Sequence, residues 1–207
     1  MKQFIPTTLA DLFNYSTATF PQKLFTSFVD GKSSYTYGQF GEKVAYTSDL
    51  LTRHGICAGD KVIILSENMP NYSVAIFAAT AFGRVMVPVL PDSSANEVNN
   101  IIVHSQAKAI FASAPQLAKI SQENLDKLSL AVNITTFETF KEEPCQQEGR
   151  VKVPQPDDLA TIDAKGNVYI TGRLGNMIYT GAVRQDRNTE NKKIPILVYD
   201  NFVKNVI

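Results

Sequence analysis

The sequence carries no surplus of charge of either sign: lysine plus arginine and aspartate plus glutamate number 20 each, and the formal net charge is +0. With no basic stripe to neutralise a phosphate backbone, nucleic acid is not an expected partner. Cysteine is scarce too. Cys57 and Cys145 lie far apart with no Cys-x-x-Cys spacing, so neither a disulfide framework nor a metal site is implied. The two histidines, His54 and His104, each fall in the last turn of a helical pattern, where a cation suits the helix dipole, and capping is favoured over catalysis. Long apolar runs are missing. The most apolar stretch, Val74 to Leu90, contains Arg84 and is broken by Gly83 and Pro88, which argues against a membrane span. The start, Met1 to Pro6, lacks the apolar segment of a secretory signal, so the cytoplasm is the expected location.

What is present suits a globular domain. The 207 residues, 44% of them hydrophobic, suffice for one core, with or without a small appendage. Thr8 precedes a helical pattern of Leu9, Leu12 and Phe13 that stops near Phe20 because Pro21 follows. Asp30-Gly31-Lys32 between Leu24–Asp30 and Ser33–Tyr37 predicts a hairpin. Thr36 and Gln39 have capping-box spacing, and Phe40, Val44, Tyr46 or Thr47, Leu50 and Leu51 recur at helical intervals until Gly55. Lys61 to Leu65 is a short continuous apolar run, expected of a strand covered on both faces.

Pro70 opens the next helical pattern, Val85 to Leu90 is a second buried strand, and Ser94 with Glu97 forms another capping box. A strand at Ala109 to Ala112 follows, then a weaker helix past Pro115 and a strand from Ala131 to Thr135. Such alternation predicts an α/β fold, a layered sheet with helices on both faces. Thr139 to Asp158 is polar and proline-punctuated, and is read as a connection or edge segment. Lys165-Gly166-Asn167 is a turn leading into Val168 to Ile170, and Ile194 to Tyr199 is a last strand candidate.

Three stretches resemble the adenylate-forming, AMP-binding superfamily, of the acyl-CoA synthetase or long-chain fatty-acid–CoA ligase type. The first is Ser34 to Phe40, similar to the family's entry of aromatic, threonine and tyrosine. The second runs from Gly59-Asp60 through Asn68 and Pro70 to Gly83 and Pro88, and on from Ser94 to Ile102. The third, Asp163 to Ile178, resembles the family's hinge, with Gly172-Arg173 before a pivot position and then Asn176-Met177-Ile178. The resemblance implies the N-terminal part of the family's large domain over residues 1–162, and a hinge motif with a remnant of the C-terminal domain, a short β tail, over 163–207.

Pro156 to Ile162 resembles the lead-in to the family's phosphate loop, Thr-Ser-Gly-Thr-Thr-Gly-x-Pro-Lys-Gly, yet the sequence passes directly from Ile162 into the hinge at Asp163. Acid activation needs donors and Mg²⁺ around a departing pyrophosphate, and a Gly, Ser and Thr-rich loop supplies such backbone N–H groups. No run here has that character; Gly172-Arg173-Leu174-Gly175 lacks the small residues and the Lys-Ser or Lys-Thr of a Walker loop. By resemblance Arg173 is a vestigial ribose contact, and Gly175 stands at a pivot where relatives carry Lys or Asp. None of Lys192, Lys193 and Lys204 matches the family's C-terminal lysine. Asp157 and Asp158 read as a solvated loop, and Lys141-Glu142-Glu143 as a charged surface run.

No catalytic residue and no metal ligand is therefore assigned, and no cofactor is expected for this chain, whereas the intact family uses ATP, Mg²⁺ and CoA. Three functions stay open: an inactive fragment or deletion form of an acyl-CoA ligase, a non-catalytic protein-interaction module derived from it, and a small enzyme of another class on the same scaffold. Loss of the core predicts uncovered apolar surface and self-association.

Overall fold

A computed structural model describes residues 8–145 and 147–155, together with the strand backbone of 161–162 and 168–169. The first helix, α1 (Leu9–Thr19), starts where the Thr8 hydroxyl accepts from the Asp11 N–H at 3.0 Å and the Asp11 carboxylate accepts from the Thr8 N–H at 3.0 Å. Two orphan donors of the first turn are thereby satisfied. Strands β1 (Leu24–Thr26) and β2 (Tyr35–Thr36) pair antiparallel as the Asp-Gly turn predicts, with Gly31 at φ +77°. The ribbon is shorter than its apolar flanks suggest.

Helix α2 (Tyr37–Arg53) carries the Thr36–Gln39 box and ends at His54, with Gly55 turning left-handed at φ +74°. Its buried stripe includes Phe40, Val44, Thr47, Leu50 and Leu51; Tyr46 points outward, so the alternative between Tyr46 and Thr47 falls to Thr47, whose hydroxyl bonds the Lys43 carbonyl at 2.7 Å.

Strand and helix then alternate through β3 (Lys61–Leu65), α3 (Pro70–Thr80), β4 (Val85–Val89), α4 (Ala95–Ser105) and β5 (Ala109–Ala112). Next come α5 (Ala114–Leu117), α6 (Gln122–Asp126), β6 (Leu130–Asn133) and β7 (Thr139–Glu142). The sheet order is β4-β3-β5-β6-β7, with β4, β3, β5 and β6 parallel and β7 antiparallel to β6. Two short helices replace the single weaker helix expected beyond Pro115, because Ser121 caps a new start at Asn124 N–H. The polar stretch read as connection or edge supplies the edge strand β7.

Alternation along each central strand divides the core. Val62, Ile64, Met86, Phe111 and Val132 face the layer of α1, α2 and α3, while Ile63, Leu65, Val87, Ile110 and Ala131 pack with Val98, Ile102, Leu117 and Leu125 of α4 to α6. Both faces being covered explains the unbroken apolar runs. Helix α3 is buried nearly all round, its Ala75, Ala78 and Ala79 letting it approach neighbours closely.

From Gln147 to Gln155 the chain forms a strap across the α2–β3 corner. The Gly149 N–H donates to the Thr52 carbonyl at 2.7 Å, the Ala58 N–H to the Arg150 carbonyl at 2.6 Å and the Lys152 N–H to the Phe82 carbonyl at 3.2 Å. Strands β8 (Thr161–Ile162) and β9 (Val168–Tyr169) pair antiparallel; the strand expected from Val168 is present at Val168 and Tyr169, and the Lys165-Gly166-Asn167 turn lies outside the described residues. Residues 156–160, 163–167 and 170–207, and with them the hinge and the boundary between 1–162 and 163–207, lie outside the described residues. No helix among the described residues is long and apolar enough to cross a membrane.

Candidate functional site

From β3 the chain crosses to β4 on one side, and β5 lies on the other side of β3, so the loops leaving β3 and β5 diverge at the carboxyl edge. In open α/β sheets such a switch point is where ligands settle. After β3 stands Ser66-Glu67-Asn68; after β5 stands Ser113, followed by α5 with Gln116. The Ser113 N–H donates to the Leu65 carbonyl at 3.2 Å, and the Gln116 Nε2 donates to the Glu67 Oε1 at 2.7 Å. These bonds join the two loops.

The Gln116 amide, followed by Glu67's own N–H and the Ser113 hydroxyl, holds the Glu67 carboxyl below its ordinary value, against a small opposing effect of burial. The Ser113 Oγ is close enough to favour the ionised carboxyl yet completes no hydrogen bond, and it and the Gln116 Oε1 are buried polar atoms with no partner among the described residues. Nearby, Asn71 in the first turn of α3 donates to the Ile134 and Thr135 carbonyls at 2.8 and 2.9 Å and accepts from the Tyr35 hydroxyl at 2.6 Å. Burial pushes the Tyr35 hydroxyl's pKa up. Lys43 sits 5.6 Å from the ring centroids of both Tyr35 and Phe137.

The rim is a polar cluster of one carboxylate, one amide and one hydroxyl. Its carboxylate is engaged by an amide, and among the described residues of the rim no nucleophile is paired with a base. His54 lies elsewhere, its Nε2 3.4 Å from a Glu142 carboxylate oxygen, and His104 closes α4. Among the described residues no group of three or more His, Cys, Asp or Glu could hold a metal ion.

Sequence reasoning ended strands at Leu65 and Ala112 but could not pair the loops that follow them, because the adjacency of β3 and β5 is a tertiary fact. Arg173, Gly175, Asp157, Asp158, Lys192, Lys193 and Lys204 lie outside the described residues. Lys141 is more than a surface charge. Its side chain is only 18% exposed, and its ammonium bonds the Asp126 and Leu128 carbonyls and the Glu143 carboxylate. Arg84, noticed only as a break in an apolar stretch, is fully buried between α2, α3 and β4.

Known proteins agree with this architecture. A Bacillus subtilis protein named "Putative acyl--CoA ligase YdaB" is 28% identical over 172 residues, covering 79% of this chain and 34% of its own length. The 4-hydroxybutyrate–CoA ligase 2 of Metallosphaera sedula is 33% identical over 92 residues, covering 44% of this chain and 17% of its own. The chain thus spans about a third, or less, of the length of these relatives. Among solved structures, the N-terminal subdomain of Klebsiella oxytoca NpsA, in complex with 3-hydroxyanthranilyl-AMSN, superposes with a TM-score of 0.58 at 20% identity, over 80% of this chain and 40% of that one. A Mycobacterium tuberculosis fatty acyl CoA synthetase gives 0.51 at 24% identity, over 54% and 22%. These likenesses establish the fold. The sequence profile of the AMP-binding enzyme family matches residues 13–163, and the chain belongs to that family.

Proposed function

We propose that this chain is a partial form of an ATP-dependent acyl-CoA ligase that does not activate acids by itself. In the intact family a fatty acid, ATP and CoA give acyl-CoA, AMP and pyrophosphate. The observation that carries the reading is the direct passage from Ile162 to Asp163, with no Gly, Ser and Thr-rich phosphate loop between lead-in and hinge. Charge moving onto pyrophosphate would then meet no array of backbone donors, and such electrostatic stabilisation is commonly the largest part of this kind of catalysis. Arg173 is a ribose contact left without its pocket, and the expected location remains the cytoplasm.

The experiment supplies ATP, Mg²⁺, CoA and a panel of fatty and aryl acids and follows pyrophosphate. Release no higher than that of an Arg173→Ala variant is expected. Turnover clearly above that background, with any acid, overturns the reading.

A further inference from the structure

The two cysteines, remote in sequence, meet at one peptide unit. The Cys57 thiol donates to the Gly55 carbonyl at 3.6 Å, and the Arg150 N–H of the strap donates to the Cys57 Sγ at 3.4 Å. The Cys145 Sγ rests where a side chain at Gly55 would stand, and it donates to the Gln147 carbonyl at 2.9 Å. Gly55 is left-handed and bare, so the sulfur of Cys145 comes right down onto the backbone that the sulfur of Cys57 touches. Both thiols are free; Cys145 is exposed and Cys57 half-buried. Backbone bonds on either side already fix the frame: the Gly149 N–H to Thr52, and the Ala58 N–H to Arg150.

We propose that Cys57 and Cys145 are a modification site, a thiol pair that closes to an intramolecular disulfide and fastens the strap to the α2–β3 corner. The co-reactant is a low-molecular-weight disulfide. The exposed Cys145 thiolate attacks one of its sulfurs, forming a mixed disulfide and releasing one small thiol. The Cys57 thiolate then attacks the Cys145 Sγ; the protein S–S bond forms, the mixed bond breaks and the second small thiol leaves. Two protein protons end on the two small thiols, the small disulfide is reduced and the cysteines are oxidised. In a reducing compartment the bond would be transient, as befits a redox-responsive pair. The inference rests on this geometry and not on whether the chain activates acids.

The test treats the whole chain with oxidised glutathione, blocks remaining thiols by alkylation, and reads intact mass and a non-reducing peptide map. The expected product is a monomer lighter by two hydrogens, with peptides holding Cys57 and Cys145 joined and its melting temperature raised by roughly 5–10 °C, since a long loop is closed. Cys57→Ser should stop at the glutathione adduct on Cys145. A wild-type chain that also stops at that adduct with Cys57 still alkylated, or that links two chains through Cys145, overturns the proposal.

Discussion

Arg84 donates its Nε–H to the carbonyl of Ile56 at 2.9 Å, and that same carbonyl is what Gly149 of the strap is pressed against from outside. The guanidinium's remaining bonds reach the Ser48 hydroxyl at 2.9 Å, the Ala78 carbonyl at 3.2 Å, the Ser48 carbonyl at 3.4 Å and the Thr52 hydroxyl at 2.8 Å. Five bonds thus draw α2, the α3 end and the α2–β3 turn onto one cation that has no carboxylate in its hydrogen-bonding shell. Burial pulls the Arg84 pKa down to about 10, with Cys57 and Asp60 opposing, which leaves it charged at neutral pH.

Removing that cation should be among the most costly single changes in the chain. Arg84→Met keeps most of the volume and strands the buried carbonyls, and is expected to cost about 3 kcal/mol. Arg84→Ala loses packing as well and should cost about 1–2 kcal/mol more. Urea unfolding checks both. Equal midpoints for Arg84→Met and wild type would mean the five bonds contribute nothing net.

Gly149 tests the other side of Ile56. A Cβ there would collide with the Ile56 carbonyl oxygen, lie 2.7 Å from its carbon and 3.0 Å from the Ile56 nitrogen. Backbone cannot give way as a flexible side chain can, so Gly149→Ala is expected to lift the strap at a cost of roughly 1–3 kcal/mol. Amide exchange should show it locally: protection of the Ala58 N–H, bonded to Arg150, falls while that of β3 and β5 persists.

These two residues mark where sequence reasoning runs out. The capping boxes at Thr36 and Ser94 were legible because hydroxyl and carboxamide or carboxylate lie three residues apart, whereas Thr8 reads only as an N-cap; β3, β4 and β5 were legible because two-sided burial writes itself as an apolar run. The position of β7 is set by its antiparallel pairing with β6, since Thr-Phe-Lys-Glu has little periodic signal of its own. Arg84 was invisible as a knot because its acceptors come from Ser48, Thr52, Ile56 and Ala78, brought together only by folding. The rim of Glu67, Ser113 and Gln116 was hidden for the same reason: local pattern names strand ends but not which ends are neighbours.

Apolar side chains stand exposed along the edge strand and the strap: Phe140 at 57%, Val151 at 50% and Val153 at 68%. If the family's central portion normally covers this side, the chain should bind an apolar dye and sediment as larger species at higher concentration. Val151→Lys with Val153→Lys should weaken both signals. A monodisperse wild-type monomer that binds no dye counts against a simple excision.

Glu67 provides a pH-dependent test of the rim. Its carboxyl is held low chiefly by the Gln116 amide, so the folded chain binds a proton less readily than the unfolded one. The stabilisation from that bond is then fully present above the ordinary glutamate value of about 4.3, and is lost as pH falls through the lower folded value. Glu67→Gln keeps an oxygen that can accept from Gln116 but cannot ionise. It should be less stable than wild type at neutral pH, the gap closing as the solution is acidified. Gln116→Leu should raise the Glu67 carboxyl toward the ordinary value, as read by NMR titration of the carboxyl carbon. Gln116→Leu leaving that titration unmoved would show that the amide does not govern the carboxylate, and that the two loops of the switch point are joined only by the Ser113 N–H and the Leu65 carbonyl.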